Sequence, residues 1–230
     1  METIASRYRD LLTRIAAAAA RAGRDPREIQ LVAVSKTVAP ERVREAYAAG
    51  ARIFGENRAQ ELDPKSAALA DLAIEWHFVG HLQSNKARAV MGVAALIHSV
   101  DRLDLAQRIS AGATPAQPQR VLVQVNTSGE ASKSGVAPEA LSALLDGMAP
   151  LPGLVVEGLM TIGPLTGDAA AIRAAFRSLR AALDRERAAR PAMPLAHLSM
   201  GMSGDYEIAI EEGATLLRIG SALFGVRDGT

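Results

Sequence analysis

No cysteine occurs among the 230 residues, which excludes disulfides, thiolate metal sites and cysteine nucleophiles and fits a reducing compartment. Aromatic residues supply only 3% of the chain, so a core drawn from its 49% hydrophobic residues has to be filled by Ala, Leu, Val and Ile. An excess of one charge is missing too: 26 Lys and Arg face 25 Asp and Glu, a formal net charge of +1. That balance provides no field to hold a polyphosphate backbone and argues against a nucleic-acid partner. No apolar run approaches the roughly 18 residues that span a bilayer, and the alanine tract 16–20 is far too short. The first 22 residues carry Glu2, Arg7, Arg9, Asp10 and Arg14 and lack the uninterrupted apolar stretch of a secretory leader. Together these absences predict a cytoplasmic protein with no membrane partner.

What is present is a repeated unit. Residues 1–22 place Ile4, Tyr8, Leu11, Leu12 and Ile15 at helical spacing, with Gly23 positioned to stop the helix. After it come β-rich apolar runs at 29–36, 52–56, 74–79, 95–100, 120–126, 154–161, 196–200 and 216–224. Seven helical segments separate them: 40–50, 58–70, 85–91, 102–111, 138–148, 168–190 and 206–212. Strand centres recur every 20 to 40 residues or roughly so, the length of strand, loop, helix and loop in a parallel βα unit. Eight units with no compositional break predict one (β/α)₈ TIM-type barrel at 29–225 behind an extra N-terminal helix, a single domain over 1–230. An open doubly wound sheet is the competing architecture, but closure removes both sheet edges.

In such a barrel the chemistry lies where strands end and βα loops begin. The first strand, Leu31-Val32-Ala33-Val34-Ser35, ends in Lys36, one of only four lysines beside Lys65, Lys86 and Lys133. A lysine there either snorkels from the rim or, partly desolvated, offers an amine for Schiff-base chemistry. The last strand embeds Arg218 among Leu216, Leu217 and Ile219; a guanidinium there needs a carboxylate partner or a ligand acceptor. Gly220 and Ser221 follow with accessible backbone amides, and strand seven runs through Ser199, Met200, Gly201, Met202 and Ser203. Loops after strands seven and eight are the customary phosphate cup of these barrels. An imine lysine, an arginine and a phosphate cup suggest pyridoxal 5′-phosphate (PLP), although Schiff-base aldolases also use barrel lysines.

At these residues the chain resembles the pyridoxal phosphate homeostasis proteins, whose barrel is related to the N-terminal domain of alanine racemase. The likeness spans nearly the whole chain. It is carried by Leu31-Val32-Ala33-Val34-Ser35-Lys36-Thr37, by Phe54-Gly55-Glu56-Asn57 and by Trp76-His77-Phe78-Val79-Gly80-His81. Further blocks are His98-Ser99-Val100-Asp101, Gly158-Leu159-Met160-Thr161, Leu198-Ser199-Met200-Gly201-Met202-Ser203-Gly204-Asp205 and Arg218-Ile219-Gly220-Ser221. The resemblance implies that Lys36 carries the Schiff base, that Arg218 faces the pyridine nitrogen, and that Ser199, Gly220 and Ser221 hold the phosphate. It places Asn57 near the ring and Met200 as a packing neighbour. It also implies a non-catalytic role in vitamin B6 homeostasis, with PLP-dependent apoenzymes as recipients. Because guanidinium only donates hydrogen bonds, the pyridine nitrogen stays unprotonated and the ring is a weak electron sink.

Racemases of this type take a catalytic tyrosine from a further C-terminal domain across a dimer. This chain ends at Thr230, and Tyr8, Tyr47 and Tyr206 all fall on helices or at a helix start, so little turnover and a monomer are expected. The rival reading is a minimal PLP-dependent racemase or another PLP enzyme. The histidines, His77, His81, His98 and His197, suggest no metal: an extended segment sets His77 and His81 about 13 Å apart, and the others belong to different strands. Glu56 can either pair with a rim cation or touch ligand. The arginine-rich helix 168–190 reads as a solvated face.

Overall fold

The computed structural model describes residues 2–130 and 133–225, so Ala131 and Ser132 of the loop 127–136 lie outside the described residues, as do Met1 and 226–230. Eight parallel strands close into a barrel in sequence order: β1 (Gln30–Val34), β2 (Ile53–Glu56), β3 (Glu75–Phe78), β4 (Leu96–Val100), β5 (Gln119–Gln124), β6 (Leu154–Met160), β7 (His197–Ser199) and β8 (Leu216–Ile219). Closure is direct, with β1 pairing β8 through Val32 opposite Arg218. Outside lie α1 (Ile4–Arg21), α2 (Pro40–Ala48), α3 (Ala59–Ala68), α4 (Ala87–Met91), α5 (Leu103–Gly112), α6 (Leu141–Met148), α7 (Ala169–Ala189), α8 (Tyr206–Glu211) and α9 (Ser221–Phe224).

The outward faces of the strands are apolar because helices cover them, whereas the inward faces mix a small apolar set with buried polar residues such as His77, His98, Ser199 and Arg218. Outward side chains such as Ala33, Phe54, Trp76, Ile97, Leu159 and Leu217 pack with the helices in one large core, with Phe54 and Trp76 rings 5.9 Å apart. Inward ones form a smaller cluster of Val32, Val79, Leu96, Leu122, Met160 and Leu216. The few aromatics leave most of the outer layer to Ala, Leu, Val and Ile, as expected from composition.

The opening helix forms as its sequence predicts. Thr3 caps it by accepting from Ser6 N–H at 3.1 Å, and Ile4, Leu11, Ile15, Ala18 and Ala19 bury one face. Gly23, at φ 66°, ends it: Gly23 N–H donates to Ala20 O and Arg24 N–H to Ala19 O, the paired bonds of a Schellman stop. This helix packs on α8, α9 and α2, supplying the cover that the four-residue α9 cannot.

One expectation needs correction. The apolar run 216–224 is not one strand: extension stops at Ile219, Gly220 takes φ −112° and ψ −82°, and Ser221–Phe224 coil into α9. Composition cannot separate a buried strand from a short buried helix. The arginines of α7 are largely exposed, Arg177 at 61% and Arg185 at 58%, and still make ion pairs. Arg173, Arg177 and Arg180 converge on Glu212, whose side chain is 3% exposed at the end of α8.

Candidate functional site

The carboxyl ends of the strands form one mouth. Lys36 stands there half-buried, immediately after β1. The next residue, Thr37, adopts φ 61°, an unusual conformation for a β-branched side chain that stores about 1–3 kcal/mol of strain. Its N–H is held by Glu61 Oε2 at 2.9 Å, so α3 fixes the turn that presents the lysine.

Behind that turn lies a buried ion pair. Glu56 Oε1 accepts from Lys65 Nζ at 2.5 Å and from Ser35 Oγ at 2.7 Å, while Lys65 Nζ also donates to the Ser35 carbonyl at 2.6 Å. Glu56 therefore pairs with a cation from α3. Burial pushes its carboxyl pKa up despite the counteracting hydrogen bond from Lys65.

Arg218 projects into the barrel and is 5% exposed. Nη1 donates to Ser199 Oγ at 2.7 Å and Nη2 to the Thr161 carbonyl at 2.8 Å. No carboxylate within 4 Å pairs with it among the described residues, and burial lowers its pKa to about 10 against an opposing attraction from Asp205. Two of its five N–H groups are used in these bonds, leaving donors for an acceptor in the mouth.

The other expected residues divide into two groups. Gly220 and Ser221 begin α9, where Ala222 N–H donates to Ser203 Oγ at 3.2 Å. Ser199 lies deeper, with no exposed surface, its hydroxyl bridging Arg218 and His98 Nδ1, the latter at 2.8 Å. Ser203 is thus the hydroxyl that meets the first turn of α9. Its signal was present in the sequence as the second hydroxyl of the strand-seven motif. Met200 is buried in the outer core between sheet and helices, because alternation along β7 turns Ser199 inward; Met160 is the methionine of the inner cluster.

Asn57 follows β2 directly, with Oδ1 buried and without a hydrogen-bond partner. Its carbonyl is pressed against Gly80, where an added Cβ would sit 2.0 Å from Asn57 O. Gly80→Ala is therefore expected to push β2 and β3 apart at the mouth and to cost about 1–3 kcal/mol, the range for forced overpacking. Urea unfolding checks the loss, and Gly80→Ala with unchanged stability would contradict this close approach.

Below Arg218 the barrel core is polar. His98 Nε2 meets His77 Nδ1 at 3.0 Å, and His77 Nε2 meets Glu75 Oε1 at 3.2 Å. At the opposite end of the barrel Arg120 donates to Glu75 at 3.2 Å and to Glu157 at 2.8 Å. The sequence assigned His77 and His98 to separate strands; the register of β3 and β4 brings their rings to 5.0 Å. Burial lowers the pKa of His98 well below its ordinary value, with nearby positive charge adding to the effect. No three potential metal ligands cluster among the described residues.

Glu75 is lowered to about 2, first by the hydrogen bond from His77 and also by Arg120. A depressed carboxyl pKa stabilises the folded chain above the ordinary value of 4.5, and that contribution is lost as pH falls from 4.5 toward 2. The Glu75 side chain is 41% exposed, so solvent screening leaves a contribution on the order of 1 kcal/mol. Urea midpoints at pH 7 and pH 3 or so should converge for the native chain and Glu75→Gln; parallel curves would contradict the assignment.

The three tyrosines lie in the helical layer. Tyr8 packs on Gly50, Arg52 stacks on Tyr47 at 4.2 Å, and Arg14 stacks on Tyr206 at 5.4 Å. Tyr206 is 2% exposed at the start of α8, which packs on α1. Lys133, in a loop beside the mouth, is tied to Glu130 at 2.6 Å and to the Gly163 carbonyl at 2.8 Å.

Comparison with known proteins places this arrangement. Residues 9–228 match the family described as "Alanine racemase, N-terminal domain". The pyridoxal phosphate homeostasis protein of Pseudomonas aeruginosa is 52% identical, over 99% of this chain and 97% of its own. That of Aquifex aeolicus is 48% identical, over 94% and 95%. PipY of Synechococcus elongatus, solved with PLP bound, superposes with a TM-score of 0.84 at 38% identity, covering 97% of this chain and 100% of its own. Alanine racemase from Corynebacterium glutamicum, at 20% identity and TM-score 0.70, shares the fold over 94% of this chain and 62% of its own. The chain belongs to the pyridoxal phosphate homeostasis protein family, built on the barrel of the alanine racemase N-terminal domain.

Proposed function

We propose that this chain is a non-catalytic, cytoplasmic PLP carrier in vitamin B6 homeostasis, acting as one binding unit over 1–230. The cofactor is held as a Schiff base on Lys36 and passed to PLP-dependent apoenzymes, and the working state is a monomer. PipY, with the same barrel, was solved with PLP bound, and relatives at up to 52% identity carry the homeostasis name.

The observation that carries the reading is the set of polar groups at the mouth. Arg218 reaches it as a buried cation without a carboxylate partner within 4 Å among the described residues. The amine of Lys36, the remaining guanidinium N–H groups, the orphaned Asn57 Oδ1 and the α9 turn with Ser203 fit an aldehyde-bearing pyridine with a phosphate arm. When bound, PLP supplies an aldehyde for imine formation and a ring that withdraws electrons. Lys36 provides the amine. Arg218 donates toward the pyridine nitrogen without giving up its proton, so the ring remains a weak electron sink. Gly220, Ser221 and Ser203 bound the phosphate end, with Ser199 supporting Arg218 from below.

Racemisation needs a proton donor and an acceptor on opposite faces of the α-carbon. Tyr8, Tyr47 and Tyr206 sit on the outer helices, and Tyr206, whose hydroxyl is buried without a hydrogen-bond partner, lies where α8 packs on α1. Their placement favours storage and delivery over turnover. The test adds PLP to the purified chain, records the visible spectrum, reduces with borohydride and maps the modified peptide. A band with the label on Lys36, and no exchange of amino-acid α-protons with solvent, is the expected result. A label on Lys86 or Lys133 overturns the site assignment, and rapid α-proton exchange makes the chain an enzyme.

A further inference from the structure

The polar chain through the barrel has a direction. An ionised Glu75 can only accept, which with neutral rings orders the groups above it; Arg218 only donates, and Ser199 Oγ, with two lone pairs and one hydrogen, takes that bond in either order. Taken from the mouth, Arg218 Nη1–H donates to Ser199 Oγ, Ser199 O–H to His98 Nδ1, His98 Nε2–H to His77 Nδ1 and His77 Nε2–H to Glu75 Oε1. Both imidazoles are then neutral, and each carries its hydrogen on Nε2. With neutral rings, the reverse order would set two acceptors, His77 Nε2 and Glu75 Oε1, against each other at 3.2 Å.

Burial gives the direction its weight. His77 is 1% exposed, and His98 and Ser199 have no exposed surface, so no solvent reaches them to rescue a wrong tautomer. Only the lower end is open: Glu75 and Arg120 have 41% exposed side chains, and Arg120 holds both Glu75 and Glu157. Charge at the barrel floor thereby sets hydrogen positions at its mouth.

We propose that Glu75, on the barrel floor, is a positioning residue for Arg218, acting through His77, His98 and Ser199 as an oriented hydrogen-bond relay. The carboxylate fixes both histidine tautomers. The Ser199 hydroxyl then turns its hydrogen toward His98 and its lone pairs toward Arg218, which holds the guanidinium aimed at an acceptor in the mouth. The role rests on the PLP reading only for what Arg218 meets; the relay itself belongs to the chain alone.

The test compares the full-length native chain with Glu75→Gln and Glu75→Leu by long-range ¹H–¹⁵N spectra of the imidazoles, before and after addition of PLP. In the native chain both rings should carry hydrogen on Nε2, with Nδ1 unprotonated. Glu75→Gln keeps an acceptor oxygen beside Arg120 and should preserve that pattern, whereas Glu75→Leu should place hydrogen on Nδ1 of His98. PLP binding to Glu75→Leu should weaken roughly fivefold, the scale of one net hydrogen bond, with Glu75→Gln closer to the native chain. A native His98 carrying hydrogen on Nδ1 would overturn the relay, as would Glu75→Leu spectra and PLP affinity indistinguishable from native. Lower thermal stability in Glu75→Leu with unchanged tautomers makes the residue merely structural and also overturns it. Failure of the native chain to take up PLP would remove the cofactor reading, while the tautomer response of the unloaded chain still decides the relay.

Discussion

Lys36→Ala is expected to abolish both the visible band formed on adding PLP and the borohydride-fixed mass increment, while leaving the barrel folded. The amine is the only atom set at this position able to form an imine, so its removal eliminates the covalent link outright. Lys36 is half-buried in a turn after β1, outside the packed clusters, so truncation costs little packing. Lys36→Arg is the sharper control: it keeps the positive charge and most of the side-chain length, yet a guanidinium is not a Schiff-base nucleophile at neutral pH. Both variants should retain near-native urea midpoints and lose the band. A band that persists in either variant, with its label moved to Lys65, Lys86 or Lys133, would show that the mouth assembled around Lys36 is not the binding site.

Lys65→Met should have the largest effect on stability, about 3–5 kcal/mol of loss, because it strands a buried carboxylate. Glu56 has no exposed surface and Lys65 is 8% exposed, and the pair is joined to Ser35 through both its hydroxyl and its carbonyl. The double variant Glu56→Leu with Lys65→Met should recover most of the loss, since replacing both members leaves no buried charge. pH provides a separate check. A carboxyl with a raised folded-state pKa holds its proton more tightly in the folded chain, so protonation favours folding. The deficit of Lys65→Met should shrink as pH falls through the folded-state pKa toward the ordinary 4.5. Chemical unfolding at two pH values decides this, and a deficit that grows with acidity would contradict the pairing. Since Ser35 precedes Lys36, the same variant is expected to loosen the lysine turn.

The barrel was legible in the sequence because its pattern is local. Apolar runs such as 95–100 and the helical spacing from Ile4 to Ala19 each record which faces are buried, and Gly23 marks a stop whose hydrogen bonds involve only neighbouring residues. Lys36 and Arg218 stood out for a related reason: a charged residue at the end of, or within, an apolar strand has few ordinary explanations. Tertiary structure alone decided which groups meet. His77 and His98 become partners through the β3–β4 register, and Glu56 finds Lys65 because α3 folds back over β2 and β3. Arg218 engages Ser199 and Thr161 across strands 19 and 57 residues away in the chain. The same closure drew Ser199 beneath Arg218, set Ser203 at the first turn of α9, and turned the end of the last apolar run into a helix. Composition and periodicity reflect how much each residue is buried; hydrogen bonds and ion pairs depend on distances of about 3 Å between residues far apart in the chain, which only strand register and helix packing set.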